Sequence, residues 1–141
     1  MQTYKISDYL VDFDAKETNN WYQIYNGWGC NCVHCQNFLT YLSTHKLPND
    51  LMEILTDFGA IATKPTYVCM LAPTTKGALY QFNFRIVGKV LNDPSFCDSI
   101  QFDWGCLSCG IDNDPSCAPN FIQPYFDVMI FLEIEDNNES K

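Results

Sequence analysis

The stretch GWGCNCVHCQNF, residues 27–38, places three thiols, Cys30, Cys32 and Cys35, within six positions. Cysteines this close can bind a soft metal as thiolates, exchange disulfides, or simply fill a core as small apolar side chains. A second pair, Cys106 and Cys109, repeats the C-x-x-C spacing inside GCLSCGID. Cys32, Cys35, Cys106 and Cys109 together supply the four thiolates of a tetrahedral structural zinc. Zinc is therefore the cofactor this pattern points to, with Cys30 a spare thiol able to replace Cys32. Gly110, directly after the second pair, suits the tight turn in which backbone N–H groups approach sulfur. The spacing between the pairs, about 70 residues, is longer than the usual zinc linkers. Reduced, buried cysteines remain the plain alternative, and Cys69, inside an apolar strand, fits that reading best; Cys97 and Cys117 stay open.

The Cys106–Cys109 segment resembles the knuckle of zinc-ribbon and rubredoxin-like proteins, over these few residues only. Cys32–Cys35 resembles the helix-start pair of treble-clef zinc domains, again locally. The same two residues also allow a dithiol redox enzyme, because a helix N-terminus stabilises a thiolate. Such pairs follow a strand, however, and here an aromatic, glycine-containing loop precedes them. No complete catalytic constellation accompanies the thiols. The two histidines, His34 and His45, do not face a cysteine at helical spacing, since His34 adjoins Cys35 and neighbours on a helix point about 100° apart. The acidic DNDP at 112–115 lacks the remaining positions of a calcium loop and reads as a turn.

At 141 residues the chain is expected to form a single domain, 1–141, with an irregular Cys/Asp/Pro-rich segment at 92–124. A hydrophobic content of 47% and an aromatic content of 15% predict a packed globule rather than a disordered chain. A formal net charge of −9, with eight scattered Lys and Arg, argues against nucleic-acid binding. It favours solubility, or an acidic surface that steers toward a basic protein partner. The opening MQTYKISDYLVDFD has no apolar leader, and no run is long enough to span a bilayer. The expectation is a cytoplasmic protein without membrane contact, where thiols stay reduced.

The elements that must position the thiols follow from periodicity. TYKISDYLVDF (3–13) alternates as a strand interrupted near Ser7–Asp8; DAKETNN reads as a polar loop. Trp21, Tyr22, Tyr25 and Trp28 form an aromatic cluster, expected in the core. Cys35, Phe38, Leu39 and Leu42 share one helix face, with Asn31 as N-cap. On this reading Cys32 and Cys35 lie in the first turn, both buried, and Cys30 points elsewhere. PNDLMEILTDFGA is a second helix, opened by Asp50 and Glu53 as a capping box and closed by Gly59. Strands follow at 66–71, 78–91 and 124–135, with a short one in SIQFDW.

Taken in order, GWGCNCVHCQNF, LPNDLMEILTDFGA, KPTY and YQFNFRIVGKV resemble a group of small uncharacterised bacterial proteins. These carry a C-x-C-x-x-C-x-N segment, a helix after Leu-Pro, a Lys-Pro and a Phe/Tyr-rich strand. The likeness spans residues 20–91 and implies a bacterial cytosolic protein, with no activity attached. The predicted fold is α+β: an antiparallel sheet of about four to six strands with two adjacent helices on one face. The predicted function is a non-enzymatic binding protein with a structural zinc. The alternatives are a metal-free acidic inhibitor or immunity-like protein that binds a basic partner, and a dithiol enzyme using Cys32 and Cys35.

Overall fold

The apolar alternation becomes seven antiparallel strands among the residues described by the computed structural model, which are 2–112, 118 and 120–135. Cys117, residues 113–115 of the acidic turn and the 136–141 tail lie outside them. The fold is α+β as expected, with one strand and one helix more than foreseen. The interruption near Ser7 is a hairpin turn between β1 (Gln2–Ile6) and β2 (Tyr9–Phe13), where Ile6 pairs with Tyr9.

The spine of the sheet is β4 (Gly77–Val90). One edge pairs with β7 (Tyr125–Glu135) from Gly77 to Val87. The other edge is shared end to end: β3 (Tyr67–Pro73) takes Ala78 to Asn83, and β2 takes Gly88 to Val90. Between those partners lies α1 (Ala15–Ile24). Tyr22 Oη donates to the Arg85 carbonyl at 3.0 Å, Val87 N–H donates to Thr18 Oγ1 at 3.0 Å, and Asp14 N–H donates to the Val87 carbonyl at 2.9 Å. Two helix side chains and the N-cap backbone N–H thus satisfy backbone groups that a neighbouring strand would otherwise pair.

This helix occupies the stretch expected to be a polar loop. Asp14 caps it, accepting from Glu17 N–H at 2.9 Å. Its buried face is Thr18, Trp21, Tyr22 and Tyr25, so the aromatic cluster is core for three of its four members. Helix α3 (Asn49–Phe58) buries Leu51, Leu55 and Phe58, as its periodicity implies. The expected capping box is absent: Pro48 is the N-cap, and Asp50 instead accepts from Leu51 N–H and Trp104 Nε1–H. Gly59 ends the helix at φ 88°, where a Cβ would meet the Ala15 carbonyl oxygen at 2.3 Å.

On β4, Tyr80, Phe82, Phe84 and Ile86 share the helix-facing side. Phe38 packs on Tyr80 and Phe82, and Phe58 on Phe126. Fully burying each such ring contributes roughly 1.5–3 kcal/mol. The opposite side, which alternation left polar, is buried at Asn83, Arg85 and Val87. Arg85 and Asp127 pair there at 2.9 and 3.2 Å, with the guanidinium 4.0 Å from the Tyr125 ring centroid. Asp112 accepts from Asn83 and Gln81, and its own N–H donates to Asp127.

Part of the 92–124 segment joins the sheet. Within it β5 (Ile100–Phe102) and β6 (Gly105–Gly110) form a hairpin, and β6 pairs with β7. Among the described residues no helix is long and apolar enough to cross a membrane.

Candidate metal centre

Helix α2 (Val33–Thr44) begins one residue later than expected. Its N-cap is Cys32, not Asn31, and the Cys32 sulfur accepts the Cys35 N–H at 3.4 Å. A thiol thus fills the role usually taken by a hydroxyl or carboxylate, satisfying one of the orphan donors of the first turn. The preceding loop folds back on the same turn. Cys32 N–H donates to the Cys30 sulfur at 3.5 Å, and the Gln36 amide donates to the Cys30 carbonyl at 2.8 Å. Cys35 sits on the buried stripe with Phe38 and Leu42.

These constraints bring three sulfurs together. Cys30, Cys32 and Cys35 have all their Sγ atoms within 4.8 Å of one another. Thiolates around one tetrahedral zinc, each at about 2.3 Å, lie about 3.8 Å apart, so the group is near metal-binding geometry. Cys30, expected to point elsewhere, belongs to the group. Cys32, expected to be buried, is exposed, while Cys35 is buried and Cys30 half-buried. The cause is the cap: a residue just outside the helix has extended backbone, and its side chain folds over the helix end instead of joining the core face.

The environments of the thiols differ. Cys32 titrates below the ordinary thiol range, chiefly because the Cys35 N–H donates to its sulfur, with Cys30 adding a second hydrogen bond. Burial pushes Cys35 up to about 12, partly offset by the Trp28 indole N–H, which donates to its sulfur at 3.1 Å. A cation held by this group would displace the Cys35 thiol proton, as thiolate coordination requires.

Cys106 and Cys109 are placed differently. Both fall inside β6, where residues three apart point to opposite faces. Cys109 pairs with Val128 and is buried, whereas Cys106 pairs with Phe131 and is half-buried. Gly110 pairs with Asp127 within the strand, so the expected knuckle turn is not formed. Neither cysteine belongs to the Cys30–Cys32–Cys35 group. Burial raises both their thiol pKa values, Cys109 to about 12. Cys97 turns its thiol toward the Asp8 and Asp93 carbonyls, and Cys69 lies half-buried on β3.

Both histidines line a cleft of about 310 Å³ between α2 and the strand ends, with Tyr41, Met70 and Tyr80 among its walls. His45 stacks on Tyr41 at 4.5 Å, and the His34 carbonyl accepts from Tyr80 Oη at 3.0 Å. Neither joins the thiol group. Sequence reasoning missed Trp28 as a partner of the thiols. Its signal is faint: an indole seven residues before Cys35, in a loop short enough to fold back.

No protein-family model matches this chain, and neither a curated protein nor a solved structure shows significant similarity to it.

Proposed function

We propose that this chain is a metal-binding protein that holds one thiophilic ion, zinc, on Cys30, Cys32 and Cys35. The observation that carries the reading is the convergence of three sulfurs within 4.8 Å at the start of α2. Two backbone N–H groups donate to those sulfurs, an arrangement that favours thiolate over thiol. Soft thiolates select zinc or monovalent copper over hard cations. Three protein ligands leave one position of a tetrahedral ion for water, a small ligand or a donor from a partner. The ion would clip the loop before α2 to its first turn, a structural role that adds its binding free energy to folding.

The test is elemental analysis of protein purified under reducing conditions without chelator, followed by zinc titration of the stripped protein. One zinc per chain is expected, abolished by Cys35→Ser and retained by Cys106→Ser. No stoichiometric zinc uptake, or uptake indifferent to Cys35→Ser, defeats the reading.

A further inference from the structure

We propose that the metal-free form of the same thiol group carries out thiol–disulfide exchange with small dialkyl disulfides, Cys32 attacking and Cys35 resolving. The geometry divides the roles. Cys32 is exposed at the helix cap, on the side open to an external disulfide. Cys35 is buried directly behind it, with the two sulfurs within 4.8 Å. A buried thiol meets no bulk disulfide. It does meet a mixed disulfide formed on Cys32, because that bond is created beside it.

The electron and atom balance closes with glutathione disulfide as the oxidant. The Cys32 thiolate attacks one sulfur, the glutathione S–S bond breaks, and one glutathione leaves as thiolate. A mixed disulfide now joins Cys32 to the second glutathione. Cys35 loses its proton as it attacks the Cys32 sulfur, the bond from Cys32 to the second glutathione breaks, and that glutathione leaves as thiolate. The two protons given up by Cys32 and Cys35 pass through solvent to the two glutathione thiolates. Two cysteine thiols become one disulfide, and one glutathione disulfide becomes two glutathiones.

Cys35 rather than Cys30 is the resolving partner for a steric reason. Cys35 already touches the Cys32 sulfur through its backbone N–H at 3.4 Å, and the two sulfurs lie within 4.8 Å of one another. Bridging Cys30 to Cys32 would close a ring across one intervening residue, which strains the dihedral angle at sulfur. Trp28 donates to Cys35 and fixes its sulfur on the side facing the cap.

Metal and exchange compete for the same atoms. This second half of the inference rests on the zinc reading; the exchange itself does not. Zinc on all three thiolates would hold Cys32 out of reaction, and oxidation of Cys32 and Cys35 would release the ion by removing two of its three ligands.

The experiment uses the full chain, stripped of metal and reduced, with glutathione disulfide as the probe. Thiol counting and peptide mapping follow the reaction. Two thiols per chain should be lost, mapped to a Cys32–Cys35 disulfide. Cys32→Ser should abolish that loss. Cys35→Ser should stop with one glutathione on Cys32. Circular dichroism confirms that both variants fold. A disulfide containing Cys30, or an unreacted Cys32 beside a modified cysteine elsewhere, overturns the proposal. Preloading with zinc should slow the reaction by about tenfold or more, since capture of the thiolate removes the nucleophile. Equal rates with zinc bound overturn the gating. Failure of zinc to bind at all overturns the metal reading and leaves the exchange result standing.

Discussion

Replacing Trp28 by Phe should weaken zinc binding without unfolding the protein. The indole N–H donates to the Cys35 sulfur at 3.1 Å, a short contact for an N–H···S bond. Cys35 is 5% exposed, so water cannot readily replace the lost donor. Once the sulfur is a metal-bound thiolate the bond is charge-assisted, and hydrogen bonds to charged groups contribute about 1.5–3 kcal/mol. At 1.4 kcal/mol per decade this is roughly 10- to 100-fold in affinity. Zinc withdraws charge from sulfur, which places the expectation at the lower end, about tenfold; partners of metal ligands commonly matter on this scale. Phenylalanine keeps an aromatic ring for the edge contact that Trp28 makes with Tyr67 at 5.7 Å. The assay is competition against a chromophoric chelator at fixed pH, for wild type and Trp28→Phe, with thermal melts of both metal-free proteins alongside. Affinity within twofold of wild type at unchanged melting temperature would refute the assignment of this bond to the metal site.

Other parts of the molecule give equally direct tests. Asp127 is 1% exposed and Arg85 9%, so Asp127→Ala leaves a buried guanidinium unpaired and should cost about 3–5 kcal/mol in urea denaturation. The double variant Arg85→Met/Asp127→Leu should recover most of that loss. Tyr22 titrates well above its ordinary value, first because of burial. Its neutral form is the one the fold stabilises, so its contribution is complete below about pH 10 and is lost as pH rises beyond that. Denaturant midpoints across this range should fall for wild type and fall less for Tyr22→Phe, from a lower starting stability. Gly88 has φ 146°, and a Cβ there would lie 1.9 Å from the Asp12 carbonyl oxygen. Gly88→Ala should therefore part β2 from β4 and destabilise the fold by about 2 kcal/mol or more, visible as faster amide exchange in β1 and β2.

How much of this was legible beforehand depended on whether one signal dominated each segment. Tyr80, Phe82, Phe84 and Ile86 alternate without interruption, and the face they define is the one the helices cover. Gly59 ends α3 as its position after the apolar stripe implies. Helix α1 was hidden because Thr18, a member of its buried face, is polar and sits among Asn and Glu. The spacing Thr18, Trp21, Tyr22, Tyr25 and the Asp14–Glu17 cap were present, but a polar residue at a core position broke the apolar count. GCLSCG was ambiguous for the opposite reason. Its glycines and cysteines suit a knuckle, while the buried residues Leu107 and Cys109 alternate as in a strand. Pairing with β7, a non-local event, decided between them. At the thiol group the residue types were plain and the membership was not. Moving the cap by one residue, from Asn31 to Cys32, brought Cys30 in and turned Cys32 outward.

The contact between α1 and the middle of β4 closes a stretch of strand edge on which another chain could pair. Residues 84–87 form an interval one short strand long, bounded at both ends by established pairing. Left open, it would be a slot whose walls already hold an incoming peptide in register, the kind of template that seeds domain exchange and fibre growth. Thr18, Tyr22 and Asp14 close it with hydrogen bonds from a helix, which cannot be extended outward as a strand can. The N-terminal segment therefore acts as an intramolecular stopper. A chain caught before α1 docks, or shortened past it, should be the species that self-associates, and concentration-dependent light scattering during refolding is where that difference will be seen.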